Sequence, residues 1–229
     1  MGKGRLLALG DIHGYSQPLD SLLKFLQPGP EDTLVTLGDY VDRGPDSRGV
    51  LWRLKELTRQ TKLVPLLGNH DLMFLDVLKM SQFPPGWLVF GGITTLESFG
   101  ISLETPDFQS VEPWVQAFYE GSCCRYWESQ DHIFVHAGVH PDLPLDQQSD
   151  DTLFWEKLVN PVPHFSGKMV VYGHSRQVSG WPRWLGHHLC LDTNIYEGGW
   201  LTCCDVNSLE FWQANAQGEF RQGKLEKSL

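Results

Sequence analysis

Thr33-Leu34-Val35-Thr36-Leu37-Gly38-Asp39-Tyr40-Val41-Asp42-Arg43-Gly44 is the stretch that decides the fold. Five apolar or β-branched residues run to a glycine, and a loop bearing two carboxylates and a guanidinium follows. A short unbroken apolar run bounded by glycine reads as a strand buried on both faces. The same pattern recurs on either side. Residues 5–9 end at Gly10 and open into Asp11-Ile12-His13-Gly14, and residues 62–67 end at Gly68 and open into Asn69-His70-Asp71. Ser16–Leu26 carries Leu19, Leu22, Leu23 and Leu26 at helical spacing, with Ser16 as its expected N-cap. Residues 46–58 carry Val50, Leu51, Leu54 and Leu57, and residues 71–79 predict a third helix. Strand and helix alternate three times in the first eighty residues. That predicts an α/β fold with βαβ units and a mostly parallel sheet. Ligands of such sheets bind beyond the carboxyl ends of the strands.

The second half reads as more antiparallel. Helices are expected at 91–99, 111–119 and 151–159. Strands are expected at 125–127, His132–Val135, Met169–Tyr172, 188–192, 200–206 and 209–213, the last two a hairpin through Asn207-Ser208. No linker or repeat divides the 229 residues, so one domain over 1–229 is expected, with its core at about 5–213. The polar tail 217–229 is expected to be loose.

Charge and cysteine usage narrow the function. The formal charge of −10 is a poor match for a phosphate backbone and disfavours a nucleic-acid polymer as partner. No stretch approaches the roughly 18 apolar residues of a membrane span, and the apolar run after Lys3 and Arg5 is too short for a signal peptide. The five cysteines include two adjacent pairs and no CxxC. Reduced, mostly buried thiols in a cytoplasmic protein are the expectation, with a redox-sensing pair as the sharper alternative. The sequence does not indicate the oligomeric state.

The chemistry sits in five loops that each follow an apolar strand. They are Gly10-Asp11-Ile12-His13-Gly14, Gly38 to Gly44, Gly68-Asn69-His70-Asp71, His136-Ala137-Gly138 and Gly173-His174. Each loop alone has a bland reading: a turn, a helix cap or a buried histidine. Together they bring Asp11, His13, Asp39, Asn69, His136 and His174 to one rim. Carboxylate, imidazole and amide oxygen suit a borderline divalent ion such as Mn²⁺, Fe²⁺, Zn²⁺ or Ni²⁺. Six groups exceed what one ion needs, and a carboxylate shared by two ions accounts for the number.

The five loops, in this order, resemble the signature GDxHG, GDxVDRG, GNH(E/D), HAG and GH of the phosphoprotein phosphatase family of metallophosphoesterases. The likeness covers about Leu7 to Val206 and is strongest to the small bacterial and bacteriophage serine/threonine phosphatases. It implies a four-layer αββα sandwich, the calcineurin-like metallophosphoesterase fold, with a dinuclear site at one sheet edge. It implies two divalent ions, with manganese the expected metal. Asp11 and His13 would hold the first, Asp39 would bridge, and Asn69, His136 and His174 would complete the second. Arg43 would bind phosphate oxygens. His70 would be the general acid, oriented by Asp42, and a hydroxide bridging the ions would be the nucleophile.

The resemblance also implies an activity. The expectation is a serine/threonine protein phosphatase acting on phosphoproteins, and on small phosphoesters such as aryl phosphates. A symmetrical dinucleoside tetraphosphate hydrolase is the alternative, disfavoured because such enzymes tend to be longer. A non-catalytic binding module of the same fold is the remote one. The pattern is broken at Lys157, in Phe154-Trp155-Glu156-Lys157, where small family members carry a second phosphate-binding arginine. Lys157 either binds phosphate without the bidentate fork or is a solvated helix residue. Phe90 stands where an asparagine often precedes Gly91-Gly92. Tyr40 either lines the site or packs. Asp71 either caps its helix or supports the second ion. Trp181 and Trp184 could border a groove.

Overall fold

The computed structural model describes residues 4–226. The expectations about the first three residues and about 227–229 lie outside the described residues. Two sheets face each other. The first has the order β12-β11-β10-β1-β2-β3. Its parallel half is β1 (Leu6–Leu9), β2 (Thr33–Thr36) and β3 (Lys62–Pro65). Its antiparallel half is β10 (Trp200–Asp205), β11 (Glu210–Ala214) and β12 (Phe220–Lys224). The second sheet has the order β4-β5-β6-β8-β7. There β5 (His132–Val135), β6 (Met169–Tyr172) and β8 (His188–Cys190) are parallel, flanked by antiparallel β4 (Tyr126–Glu128) and β7 (Arg183–Trp184).

Side-chain alternation along the strands makes the layers. Leu7, Leu9 and Leu34 face α1 (Ser16–Leu26), α2 (Ser47–Leu57) and α3 (Asn69–Met80). Ala8, Val35 and Leu37 face the other way, onto Phe134, Val171 and Leu189 of the second sheet. That sheet's far side, with Val135, Val170 and Tyr172, is covered by Leu153 and Phe154 of α6 (Asp150–Phe154). The result is the expected αββα sandwich. It also explains the cysteines. Cys203 faces the helices and its neighbour Cys204 faces the second sheet, so the two thiols point apart. The five cysteines are free thiols.

Local chemistry moves several boundaries. Ser16 is the first helical residue of α1 rather than its cap, which is Tyr15. Asp46 caps α2 by accepting from Gly49 N at 2.9 Å. The helix expected at 91–99 is a π-type turn, Leu88–Gly92, kinked at Gly91 (φ 116°) and followed by α4 (Ile93–Ser98). The helix expected at 111–119 is α5 (Pro113–Ser122), opened by its proline. Residues 188–192 were expected as one strand but split. The chain leaves β8 and crosses to the first sheet, where β9 (Asp192–Thr193) pairs with β10.

The tail is corrected as well. Residues 220–224 form an edge strand, not a loose end. Arg221 lies between the rings of Trp181 and Trp200, at 3.8 and 4.1 Å from their centroids, and its Nε donates to Gln213 Oε1 at 2.7 Å. Phe220 packs on Phe25. A polar sequence hides this strand because a cation between two indoles fixes it rather than an apolar stripe.

Candidate active site

The loops meet where the carboxyl ends of β1, β2, β3, β5 and β6 converge, and they zip together through the backbone. His13 N donates to Asp39 O at 2.8 Å, Gly14 N to Tyr40 O at 2.8 Å, and Gly173 N to His136 O at 2.8 Å. His13, Asp39, Asp42, Arg43 and His174 all hold positive φ, between 46° and 72°. Such backbone conformations are costly for residues other than glycine and persist where the surroundings over-determine them. Two glycines are needed for a different reason. A Cβ on Gly68 would collide with Asp39 Oδ1, and one on Gly173 with Asp11 Oδ1.

Asp39 is central and buried. Its Oδ2 lies 3.4 Å from His13 Nε2 and its Oδ1 lies 3.5 Å from His136 Nε2. Each carboxylate oxygen therefore addresses a different imidazole. Burial alone would raise its pKa, but the surrounding His136, His70, His13 and His174 outweigh it and hold the carboxyl below the usual range. Ligating atoms of His13, Asp39 and His70 lie within 4.8 Å of one another, as do those of Asp39, His136 and His174.

The tautomers are set by backbone carbonyls. His13 Nδ1 donates to Val41 O at 3.0 Å, and His136 Nδ1 donates to Leu37 O at 2.7 Å. His174 Nε2 donates to Trp155 O at 3.0 Å. The remaining lone pairs face the centre. His136 Nε2 and His174 Nδ1 both meet the amide oxygen of Asn69, at 2.9 and 3.1 Å. Acceptors converging on acceptors fit a cation between them. Asp11 adds to this. Its Oδ2 accepts from His174 N at 3.0 Å, while its buried Oδ1 has no hydrogen-bond partner. Burial, then the like charges of Asp192 and Asp39, push its carboxyl well above the ordinary value. Crowded carboxylates, an orphaned oxygen and inward lone pairs fit divalent ions held by Asp11, His13, Asp39, Asn69, His136 and His174.

His70 stands close to this set but is otherwise engaged. Its Nδ1 donates to Asp42 Oδ2 at 2.6 Å, and its Nε2 lies 3.0 Å from Arg43 Nη2. Asp42 is wholly buried. It also accepts from Trp87 Nε1 at 2.9 Å and from Thr95 Oγ1 at 2.6 Å. Arg43 lies on the Tyr196 ring, 3.9 Å from its centroid, and donates to His13 Nε2 at 2.7 Å.

Several open readings close. Asp71 caps α3, accepting from Gly68 N at 3.0 Å, and braces the neighbouring loop by accepting from Asp39 N at 2.7 Å and Tyr40 N at 3.0 Å. Tyr40 packs, with its hydroxyl donating to Leu66 O at 2.6 Å. Trp181 holds Arg221 and Trp184 packs between the sheets, so neither lines the cavity. The expected helix 151–159 stops at Phe154. Trp155 O turns to His174 and Leu158 N donates to Ser175 Oγ at 3.1 Å. Lys157 therefore lies on a loop lining the cavity, not on a helix face. Sequence reasoning missed Asp192 and Arg176. Asp192 is buried beside Asp11, its carboxyl pushed up to about 6 by burial and then by Asp39. Arg176 lines the cavity and pairs with Glu197 at 2.5 Å. Only the step from β8 across to β9 brings Asp192 here, and no spacing in the sequence announces it.

The profile of the calcineurin-like phosphoesterases matches residues 4–200. The chain belongs to that family. Two relatives are named symmetrical bis(5′-nucleosyl)-tetraphosphatase. The protein from Pseudomonas syringae pv. syringae is 36% identical over 139 residues, 60% of this chain and 43% of the relative. That from Acidovorax sp. is 34% identical over 144 residues, 62% of this chain and 47% of the relative. The chain thus spans about half the length of the curated relatives it matches. Among solved structures, one described as a proposed diadenosine tetraphosphatase superposes with a TM-score of 0.66 at 24% identity, covering 96% of this chain and 93% of that one. A cold-active protein-tyrosine phosphatase from Shewanella sp. gives a TM-score of 0.66 at 18% identity, covering 96% of this chain and 80% of that one. These two likenesses speak to the fold alone.

The expectation of a serine/threonine protein phosphatase is overturned by the named sequence relatives, which are 32–36% identical tetraphosphatases in the first three cases. The reason is chemical. The five loops specify ion binding and phosphoryl transfer, which the two activities share, and say nothing about what lies beyond the phosphate.

Proposed function

We propose that this protein hydrolyses dinucleoside polyphosphates, with a symmetrical bis(5′-nucleosyl) tetraphosphate as the reference substrate. The observation that carries the reading is the 36% identity to a named symmetrical tetraphosphatase. The cavity supports it. Arg43, Lys157 and Arg176 line it together, three cations where a single phosphomonoester needs fewer. No helix among the described residues is long and apolar enough to cross a membrane, and the free thiols support a reducing compartment such as the cytoplasm.

In this reading Asp11, His13 and Asp39 would hold one divalent ion, and Asp39, Asn69, His136 and His174 would hold the other. When bound, such a pair polarises the phosphoryl group and supplies a nucleophile at neutral pH. The ligand set accepts several metals, and manganese is our choice. Arg43 binds the phosphoryl oxygens, braced from behind by Tyr196. Its guanidinium presents a planar fork to charge that grows in the transition state. His70 delivers a proton to the leaving oxygen from Nε2, and Asp42 fixes the ring through Nδ1. Trp87 and Thr95 hold Asp42 still. Lys157 and Arg176 take the phosphates that do not react.

The test compares specificity constants of the manganese-loaded protein on diadenosine tetraphosphate, a phosphoserine peptide and an aryl phosphate. The tetraphosphate is expected to lead by at least tenfold. A phosphopeptide that matches or exceeds it removes the proposal.

A further inference from the structure

Two aromatic side chains at the mouth of the cavity have no part in the chemistry above. Phe90 is 54% exposed and Trp155 is 45% exposed, and both line the cavity that holds Asp11, Asp39 and His70. Scattered exposed aromatics are ordinary. These two differ because the backbone ties each to the site. Trp155 N donates to Asp151 O at 2.9 Å, and its carbonyl accepts from the ligand histidine, His174, at 3.0 Å. Phe90 N donates to Gly86 O at 3.0 Å, and the next carbonyl, that of Gly91, accepts from Arg43 N at 3.2 Å. Neither backbone segment can shift without disturbing a residue of the site.

The cavity itself measures about 220 Å³. That lies below the roughly 300–1,000 Å³ of pockets that enclose a small organic ligand. It has room for phosphates among Arg43, Lys157 and Arg176. Whatever is attached to them must emerge over the rim, where Phe90 and Trp155 stand.

We propose that Phe90 and Trp155 form a stacking rim for the nucleobase of the substrate. The inference rests on the reading of that substrate as a dinucleoside polyphosphate and names the residues that select it. A base presents a π-face whatever its identity, so the rim accepts purines and pyrimidines alike. A phosphoserine side chain offers nothing to stack. The same rings therefore favour a nucleotide over a phosphoprotein at a site whose ion chemistry serves both.

The test is a calorimetric titration of the full, manganese-loaded chain with two ligands that cannot be hydrolysed at the bridge. One is adenosine 5′-(α,β-methylene)diphosphate. The other is methyl methylenediphosphonate, which has the same charge and no nucleoside. Wild type is expected to bind the nucleotide about tenfold more tightly or better. The ratio of dissociation constants should fall toward one when Phe90→Ala and Trp155→Ala are combined, and Trp155→Phe, which keeps a ring, should retain most of it. Both positions are exposed, and a melting curve checks that the variants fold. A wild-type ratio near one overturns the rim, and so does a double variant that keeps the wild-type ratio or weakens both ligands equally. A wild type that prefers the nucleotide yet leaves diadenosine tetraphosphate uncut supports the rim and overturns the hydrolase reading.

Discussion

Replacing Asp42 by asparagine separates the general acid from the rest of the site. The wholly buried carboxylate accepts from His70 Nδ1 at 2.6 Å, Trp87 Nε1 at 2.9 Å and Thr95 Oγ1 at 2.6 Å. A hydrogen bond to a charged group contributes about 1.5–3 kcal/mol. An amide oxygen can keep His70 and Trp87, while the amide NH₂ must face Thr95, whose hydroxyl can turn to Ser47 Oγ at 3.1 Å. About one such bond is lost, so Asp42→Asn should destabilise the fold by roughly 2 kcal/mol and leave it folded. Its larger effect is on His70, which exchanges the charge-assisted bond at Nδ1 for a weaker neutral one. Positioned general acids contribute about 10²–10⁴ in rate. Turnover of an alkyl phosphate should therefore fall by about 10²–10³, since an alkoxide leaves only when protonated. A nucleoside diphosphate leaves readily as an anion, so diadenosine tetraphosphate should lose about tenfold or less. The assay is kcat across a leaving-group series from alkyl to aryl phosphate to tetraphosphate, with manganese saturating. An equal loss on every member would refute the acid role of the Asp42–His70 pair.

Three further outcomes follow from other parts of the molecule. Arg221→Ala should remove two cation–π contacts and two hydrogen bonds, to Gln213 Oε1 and Gly180 O, that hold the edge strand, costing about 2 kcal/mol; urea unfolding measures it, and a change under 0.5 kcal/mol would show that β12 does not depend on the clamp. Asp32 ties the starts of β1 and β2, accepting from Arg5 N at 2.8 Å and from Arg5 Nη2 at 2.6 Å, and its pKa is lowered from 3.8 to about 2, chiefly by the Arg5 side-chain hydrogen bond. A depressed pKa stabilises the fold above the unfolded value and loses that contribution as pH falls through the folded one, so wild type should exceed Asp32→Asn by about 1–2 kcal/mol at neutral pH, discounted for the part-exposed guanidinium, with the difference vanishing between about pH 4 and 2 in thermal melts. Lys157→Ala should raise KM for the tetraphosphate about three- to tenfold with kcat little changed, and an unchanged KM would return Lys157 to the solvent.

The alternating α/β order was legible because both faces of each central strand are buried, while the αββα layering was implied only by the resemblance of the five loops. Apolar runs such as Leu34-Val35 and Val170-Val171 then read unambiguously, and each is followed by a glycine-bounded polar loop. The six ligand candidates converge because every one lies at the carboxyl end of such a strand. What escaped notice depends on contacts distant in sequence. The β12 strand is held by an arginine between two tryptophans roughly twenty and forty positions upstream. Asp192 reaches the site only through a chain that changes sheets, while Arg176 lies two residues beyond His174 in the loop that follows β6. The substrate class escaped for another reason. Ion ligands and phosphate clamps are the same whether the phosphate sits on a protein or between two nucleosides, and the rim that would tell them apart consists of two aromatics at unremarkable spacing.

The most direct measurement is the product pattern from diadenosine tetraphosphate, resolved by anion-exchange chromatography, for wild type and for Asp39→Asn. Asn tolerates the positive φ of 52° at this position, so the variant should fold while lacking the carboxylate that faces both His13 and His136. The account predicts ADP alone, two per substrate, from the manganese-loaded wild type, and no turnover with reduced metal content from Asp39→Asn. Release of ATP with AMP, an intact tetraphosphate beside rapid phosphopeptide hydrolysis, or full activity in Asp39→Asn would contradict it.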